Sequence, residues 1–560
     1  MGGRVMGAGQ AVVEALQAEG VDRIYCLPGS HVLEIYDALA ESPAIRLVTC
    51  KLESSISLMA DIHGRLTGEP GVCLVTAGPG AVNSLAGVAQ AYASASPLIH
   101  ISGAVPLDGG RETFHGVDDP DFTLNMFRDV TKWSVRVGRQ DALPEIFAHA
   151  FHTARSGRPG PVHIEIPRET NTSRHLISAR PAPVPPYRRL PVAPRAPARD
   201  DVARVAERLA RARRPVLAAG KGILRTGATD SLAALADRLA APVLFPQDAI
   251  GVIRDDHPWA AGFFALWSLS PFFAGLLEQA DLLLSVGLRA ETATSRLLAG
   301  RAPAEHIFVD FGDDGAPHPT ATLALAADPG PFLRALLDVP GLGPREDPER
   351  GAALAAARRA YRADMDRIVD RFREARPIHP GVAVHALASA LDEDAVVVSD
   401  VGNCAVWLRN LLPVRRPDSH LQSGMWNAMG LALPSAVAAK LAFPRRQVAG
   451  VAGDGALLMS LGEFGTALEQ GTPIALMVLN DGEYGMIRKL QTQAYGRAFG
   501  CEFRSPDFAA LARDFGGVGF RVEDPADLAP ALRKALDAGV PALVDVLTGD
   551  YPYPEFELRR

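Results

Sequence analysis

Short apolar runs of strand length alternate with Ala-rich stretches of helical period along most of the chain. Asp22–Leu27, Gly71–Thr76, Pro97–Ser102 and Gly160–Ile166 are near-continuous apolar runs, and Ser84–Ala95 between two of them has helical spacing. Runs apolar on both faces, separated by helical segments, predict parallel strands joined by crossover helices that cover both faces of the sheet. The same order returns further on: Arg446–Ala452 reads as a strand, Leu457–Gln470 as a helix and Pro473–Leu479 as the next strand. Val48–Glu53 reads as a strand end leading into a helix from about Ser54, which Gly68 stops.

Two segments break the pattern. Ala179–Asp200 is rich in Pro, Arg and Ala and has neither period, so it reads as an extended linker. Leu337–Arg350 is a second Pro/Gly/charge stretch, followed by an Arg/Ala-rich helix from about Gly351 to Arg376 that Pro377 and Pro380 stop. The expected fold class is therefore α/β with three doubly wound parallel-sheet domains, 1–178, 200–338 and 378–546, with linkers at 179–199 and 339–377 and a tail at 547–560.

Composition narrows the field. Of 560 residues, 48% are hydrophobic, which excludes a disordered chain. The net charge of −7 argues against nucleic acid or an anionic membrane as the main partner, since both need a concentrated positive field. The five cysteines form no C-x-x-C pair, and no His cluster stands at zinc spacing, which suits thiols in a reducing compartment. No signal peptide is apparent at the N-terminus. The uncharged stretch Ser84–Leu107 carries Ser, Gln, His and Pro throughout, so neither a membrane span nor a membrane partner is expected. A cytoplasmic location follows as the default.

Candidate chemistry sits at strand ends. Gly453-Asp454-Gly455 stands where one strand meets its helix, and Asn480–Gly485 ends the next strand. Ligands of open α/β sheets bind beyond the carboxyl ends of the strands, and here two neighbouring strands each deliver a carboxylate. Two carboxylates with backbone carbonyls suit Mg²⁺, and free N–H groups at a helix start suit phosphate. Either turn alone would read as an ordinary Gly/Asp strand end; the pair carries the reading. Glu53 alone would likewise read as a helix-start carboxylate favoured by the macrodipole. It is followed in register by Ala60-Asp61-Ile62-His63-Gly64-Arg65, by Val72–Gly80 with its Gly-Pro-Gly loop, and by Asn83.

Taken together these motifs resemble the thiamine diphosphate-dependent enzymes, in their acetolactate synthase-like and benzoylformate decarboxylase-like branches. The resemblance covers nearly the whole chain. It implies Asp454 as a metal ligand, Asp481 as a second ligand where Asn is commoner, and the Glu483 carbonyl as a third. It places Glu53 against N1′ of the aminopyrimidine, with Gly78 and Asn83 on the same side. Asp400–Ala405 is similar to the family's diphosphate loop, which assigns Gly402, Asn403 (a place often held by Gln) and Cys404 to the cofactor, together with Gly453, Gly455 and Ala456. Ser423–Pro434 resembles S-G-x-x-G-x-M-G-x-x-L-P, which puts Met429 beneath the bent cofactor; alone it would read as a core methionine. Asn427 departs from the usual Gly.

The implied cofactors are thiamine diphosphate and Mg²⁺, and the implied partner is a small 2-oxo acid such as pyruvate. The substrate loses CO₂, and the remaining fragment is protonated to an aldehyde or joined to a second carbonyl, giving an acyloin or 2-hydroxy-3-oxo product. Within this family a simple decarboxylase of an aryl or larger 2-oxo acid, an acyl transferase and a C–C hydrolase stand as alternatives. Family members complete the site across a homodimer, and dimers commonly pair into tetramers. His31 and His115 are the acid/base candidates; His63 and His100 read as structural. Leu490 stands where biosynthetic acetolactate synthases usually carry Trp, and Phe114-His115-Gly116 where they carry F-Q-E. Pro28-Gly29-Ser30 resembles the P-G-S of benzoylformate decarboxylase, but Val75 stands where that enzyme has His. Some relatives bind FAD in the middle domain; apart from Arg289 nothing here supports it. A dinucleotide oxidoreductase is suggested only by Gly7–Ala11, which the sequence places before any strand.

Overall fold

The near-continuous apolar runs become strands buried on both faces: Gly71–Val75, Leu98–Ala104 and Pro161–Pro167 have no exposed residue. The computed structural model describes residues 4–105, 115–167, 181–264, 271–289, 301–312 and 317–554. The comparison drawn above at Phe114, the predicted linker before Pro181 and the tail beyond Pro554 lie outside them.

Three six-stranded sheets, each wholly parallel, carry the fold. The first runs in the order Arg46–Thr49, Arg23–Cys26, Gly71–Val75, Leu98–Ala104, Pro161–Pro167, Trp133–Arg136. The second runs Ala260–Phe264, Val243–Pro246, Pro215–Ala219, Leu282–Val286, Glu305–Asp310, Leu323–Ala326. The third runs His420–Gln422, Val396–Ser399, Val448–Gly453, Ala475–Asn480, Ala542–Leu547, Val518–Val522. In the first sheet the winding direction reverses between Arg23–Cys26 and Gly71–Val75, and in the third between Val396–Ser399 and Val448–Gly453. Such reversals splay the following loops apart and open a crevice at the strand ends. Each sheet has its own apolar core beneath flanking helices.

By contacts the chain forms two compact units. One comprises 1–193 with 425–444 and 460–472; the other comprises 194–424, 445–459 and 473–560. Within the first unit, helix Ala432–Ala442 packs on helix Glu53–Thr67. The latter helix is held internally by a buried ion pair, Arg65 Nη2 to Asp61 Oδ2 at 2.6 Å, so two residues of the Ala-Asp-x-x-Gly-Arg motif serve the helix itself.

Four expectations are corrected. The linker predicted at 179–199 is not wholly extended coil: Ala182–Val184 forms a two-stranded antiparallel ribbon with Arg4–Met6. A strand does therefore precede Gly7–Ala11, but it belongs to that ribbon and to none of the parallel sheets, so the context of a dinucleotide fingerprint is still lacking. The helix expected over Leu457–Gln470 is two, Asp454–Leu458 and Glu463–Glu469, broken where Ser460-Leu461-Gly462 turns. The Arg/Ala-rich helix runs Pro348–Arg371, with Pro at its first position and the Asp347 side chain capping the Arg350 N–H. Among the described residues no helix is long and apolar enough to cross a membrane, and all five cysteines are buried and unpaired.

Candidate active site

The sequence-predicted site residues fall into two constellations, one in each unit. In the first unit, Glu53 opens its helix straight after strand Arg46–Thr49 and the short turn at residues 50–52. Its carboxylate Oε2 accepts from Asn83 Nδ2 at 3.1 Å, reaching across to the helix Pro79–Ala93. Gly78 caps that helix with φ +59°, a value glycine adopts freely, and a Cβ there would stand 2.3 Å from the His115 carbonyl oxygen. That close approach seats His115 beside His31, with ring centroids 4.8 Å apart and planes 27° from parallel. His31 lies on the one-turn helix Ser30–Val32 after strand Arg23–Cys26, with its Nδ1 3.1 Å from the Ser30 hydroxyl and 3.5 Å from that of Thr76. The structure thus pairs Glu53 with Asn83, and His31 with His115. Met429 is half-buried in the turn leading into helix Ala432–Ala442. His100, by contrast, is a core group: it is fully buried between Ser84 at 2.7 Å and His163 at 2.8 Å, and burial pushes its pKa down to about 3.

Sequence reasoning missed Glu463 in this unit. Its Oε1 accepts from the backbone N–H groups of Lys51 and Leu52, at 3.0 and 3.1 Å, and its Oε2 accepts from the Thr466 hydroxyl at 2.7 Å. These are the residues just before Glu53, so a buried carboxylate holds the turn that delivers Glu53. Glu463 was hidden in what read as one long helix; the break there is what turns it toward Lys51.

In the second unit, three strands of the third sheet deliver the rest. Gly402 and Asn403 follow strand Val396–Ser399, Asp454 follows Val448–Gly453, and Asp481 follows Ala475–Asn480. Asp454 Oδ1 accepts from the Gly455 N–H and Oδ2 from the Gly482 N–H, both at 2.8 Å, which ties the two carboxylate-bearing turns together. Asn480 turns away, its Nδ2 donating to buried Asp545 at 2.9 Å, which leaves Asp481 as the side chain that faces Asp454. Asp481 Oδ1 accepts the Glu483 N–H at 3.3 Å.

Gly485 opens helix Gly485–Tyr495, and a Cβ on it would meet Asn403 Nδ2 at 2.5 Å, Asp481 Oδ2 at 3.1 Å and Glu483 Oε1 at 3.4 Å. Three polar groups therefore converge where this glycine leaves room. The Glu483 side chain pairs with Arg488 at 3.2 Å. Gly453, Gly455 and Ala456 lie at the strand end and the first turn of helix Asp454–Leu458. Cys404 is 1% exposed, and its thiol donates to the Asp400 carbonyl at 3.3 Å and is pushed up to about 12 by burial. Its thiol is packed in the core. A second residue missed from the sequence is Tyr553, whose hydroxyl donates to Asn403 Oδ1 at 2.6 Å.

The electrostatics suit a cation. Burial, then the charges of Asp454 and Glu483, push the Asp481 carboxyl up to about 7, and burial raises that of Asp454. Acids so crowded repel one another until a positive charge is placed among them. Among the described residues no three His, Cys, Asp or Glu side chains form a complete metal cage. Two carboxylates fit an ion such as Mg²⁺ that takes its remaining oxygens from backbone and phosphate. Beside them, the open N-terminal turns of helices Asn403–Leu411 and Gly485–Tyr495 present free N–H groups of the kind that hold a diphosphate.

Strand-end carboxylates on parallel sheets, a helix-start glutamate and helix N-termini at two winding reversals define a class of cofactor-dependent α/β enzyme. Residues 6–122, 202–336 and 400–546 match, in turn, the N-terminal TPP binding domain, the central domain and the C-terminal TPP binding domain of thiamine pyrophosphate enzymes. The chain belongs to the thiamine pyrophosphate-dependent enzymes, in their acetolactate synthase-like group. It is 31% identical to the probable acetolactate synthase large subunit of Methanocaldococcus jannaschii, over 97% of this chain and 92% of the relative. It is 30% identical to the acetolactate synthase large subunit of Mycobacterium tuberculosis, over 96% and 88%. It is 29% identical to the acetolactate synthase isozyme 1 large subunit of Escherichia coli, over 96% and 92%.

Proposed function

We propose that the chain is a Mg²⁺- and thiamine diphosphate-dependent carboligase that decarboxylates a 2-oxo acid such as pyruvate and joins the remaining two-carbon unit to a second carbonyl. The observation that supports this reading is that Glu53, Asp454 and Asp481, the carboxylates the family resemblance assigns to the cofactor and its cation, each follow a parallel strand, in a chain matching an acetolactate synthase large subunit over 97% of its length. When bound, thiamine diphosphate supplies the carbon nucleophile and stabilises the carbanion left by CO₂ loss.

The protein's part is orientation and proton handling. Glu53 would share a proton with the aminopyrimidine at N1′, and Asn83 Nδ2, which donates to its carboxylate at 3.1 Å, would keep it turned to do so. Asp454 and Asp481 would hold the cation, with the Glu483 carbonyl as third protein donor. Gly402, Asn403, Gly453, Gly455 and Ala456 line the diphosphate, with Cys404 contributing backbone alone. Met429 supports the cofactor rings. His31 and His115 would exchange protons with the substrate's carbonyl oxygen and with the carbon that CO₂ leaves, while the substrate carboxylate stays ionised.

We place the protein as a homodimer with Glu53 and the carboxylate pair of each site drawn from different copies, pairing into a tetramer, as its family does. Five buried, unpaired thiols support a cytoplasmic location. The stacked His31–His115 pair favours a second reading, simple decarboxylation of an aryl or larger 2-oxo acid, because a proton donor beside the substrate promotes aldehyde release.

One experiment separates these readings. Protein reconstituted with Mg²⁺ and thiamine diphosphate is given pyruvate, with CO₂ and organic products quantified, wild type beside Glu53→Gln. Acetolactate or acetoin with CO₂, reduced at least about a hundredfold in the variant, is the expected result. Aldehyde alone, or turnover only of aryl 2-oxo acids, establishes the second reading. Unchanged turnover in the variant removes Glu53 from the mechanism.

A further inference from the structure

The segment after the last-entered strand of the third sheet, Ala542–Leu547, folds back over the site. Thr548 N–H donates to the Asn480 carbonyl at 2.9 Å and Gly549 N–H to that of Ile378 at 3.3 Å. The Tyr551 hydroxyl donates to the Pro377 carbonyl at 2.6 Å, and its ring lies 4.5 Å from that of His379. Asp550 pairs with Arg488 at 2.8 Å and with Lys489. These anchors bring Tyr553, 5% exposed, against Asn403, with the Lys489 ammonium 5.5 Å from the centre of its ring.

An asparagine amide presents a donor at one end and an acceptor at the other, and its environment decides which end faces where. Here the carboxylates, which only accept, set which end faces them, and the Tyr553 hydroxyl holds the other end. The Tyr553 hydroxyl donates to Oδ1 on one side, while Asp481 and Glu483 oxygens gather with Nδ2 around Gly485 on the other. A flipped amide would turn Oδ1 toward those carboxylates.

We propose that Tyr553 is a positioning residue for the cofactor: its hydroxyl locks the Asn403 amide so that Nδ2 is presented as a donor to the diphosphate, which makes residues 548–554 a working part of that site. This rests on the reading of the Asp454–Asp481 site as the diphosphate and cation site. The hydroxyl matters because Asn403 stands where relatives often carry the longer Gln. A short side chain reaches the diphosphate only in a narrow range of orientations, and Tyr553 selects among them.

The test titrates thiamine diphosphate into cofactor-free, full-length protein at saturating Mg²⁺, with Kd read by calorimetry. The variants are Tyr553→Phe, Asn403→Ala and the double variant. Tyr553→Phe keeps the ring under Lys489 and deletes only the hydroxyl, so thermal unfolding serves as the check on folding. We expect Kd to rise about three- to tenfold in Tyr553→Phe, the loss of one neutral hydrogen bond. Asn403→Ala should lose at least as much, and the double variant no more than Asn403→Ala alone, because the hydroxyl acts only through the amide. In turnover, the change should be larger in the KM for the cofactor than in kcat. Wild-type affinity in Tyr553→Phe, or additive losses in the double variant, overturns the proposal. Wild-type protein that takes up no thiamine diphosphate overturns the site reading and this inference together, whereas uptake unchanged by Tyr553→Phe overturns this inference alone.

Discussion

Asp481 stands where the family resemblance expects the uncharged Asn. An Asn there would give the cation an oxygen without adding a third acid to Asp454 and Glu483. The cost is visible in the folded state, where the Asp481 carboxyl is pushed up to about 7 by burial and by those neighbours. The unfolded carboxyl titrates near 3.9. Between about pH 4 and pH 7 the folded chain therefore holds a proton that the unfolded chain has released, and stability falls as pH rises through that window. Asp481→Asn should raise the Tm of cation-free protein at pH 8 by about 2–4 °C, with little gain at pH 5.5, where the carboxyl is already neutral. Scanning calorimetry at the two pH values with a chelator present checks this. An equal gain at both would show that the charge is not the cause. Mg²⁺ should shrink the difference at pH 8, because it would place a positive charge directly against Asp454 and Asp481.

Among the elements, the helix Glu53–Thr67 depends on a partner far away in sequence. Glu463 accepts two backbone N–H groups of the turn before it, and Glu463→Ala leaves both without that acceptor. The expected outcome is about 1–3 kcal/mol of lost stability and roughly a tenfold fall in kcat from a misplaced Glu53, with thiamine diphosphate affinity within about twofold, since the diphosphate half is untouched. Urea melts, steady-state kinetics and calorimetry on one preparation check all three; weakened cofactor binding with intact kcat would contradict the assignment.

This element also shows where sequence reading stopped. The strands were legible because burial on both faces leaves uninterrupted apolar runs, and Asp454, Asp481 and Glu53 were legible because each sits at the end of one. Glu463 was not, since one turn of helix more or less between Asp454 and Gln470 leaves the same residue pattern. Tyr553 was not, because it follows the last strand in an irregular segment with no period to read. The core position of the Cys404 thiol was invisible because a motif fixes a residue's place along the chain and leaves open the direction of its side chain. The strand Ala182–Val184 escaped because three residues between prolines carry no alternation.

For the molecule as a whole, the proposed sharing of sites between copies makes a quantitative statement. Glu53→Gln and Asp454→Ala homomers should each be inactive. When the two are unfolded together and reassembled, half the dimers are mixed, and each mixed dimer has one site with both groups intact, so about a quarter of wild-type activity should return. Activity staying at the level of the separate variants would mean that Glu53 and the carboxylate pair act from one copy.

The order in which these elements leave the ribosome bears on how the protein is made. Helix Ala432–Ala442 covers helix Glu53–Thr67, and Glu463 grips the turn in front of it, yet both are translated some four hundred residues after the elements they complete. During synthesis the first sheet can form early, but the helix bearing Glu53 waits, with one apolar face bare, until nearly the whole chain has left the ribosome. A nascent chain arrested at the middle domain would therefore carry a first sheet whose Glu53 helix lacks both its cover and its clamp. Such a product would be a client for chaperones and could not pass as a half-enzyme.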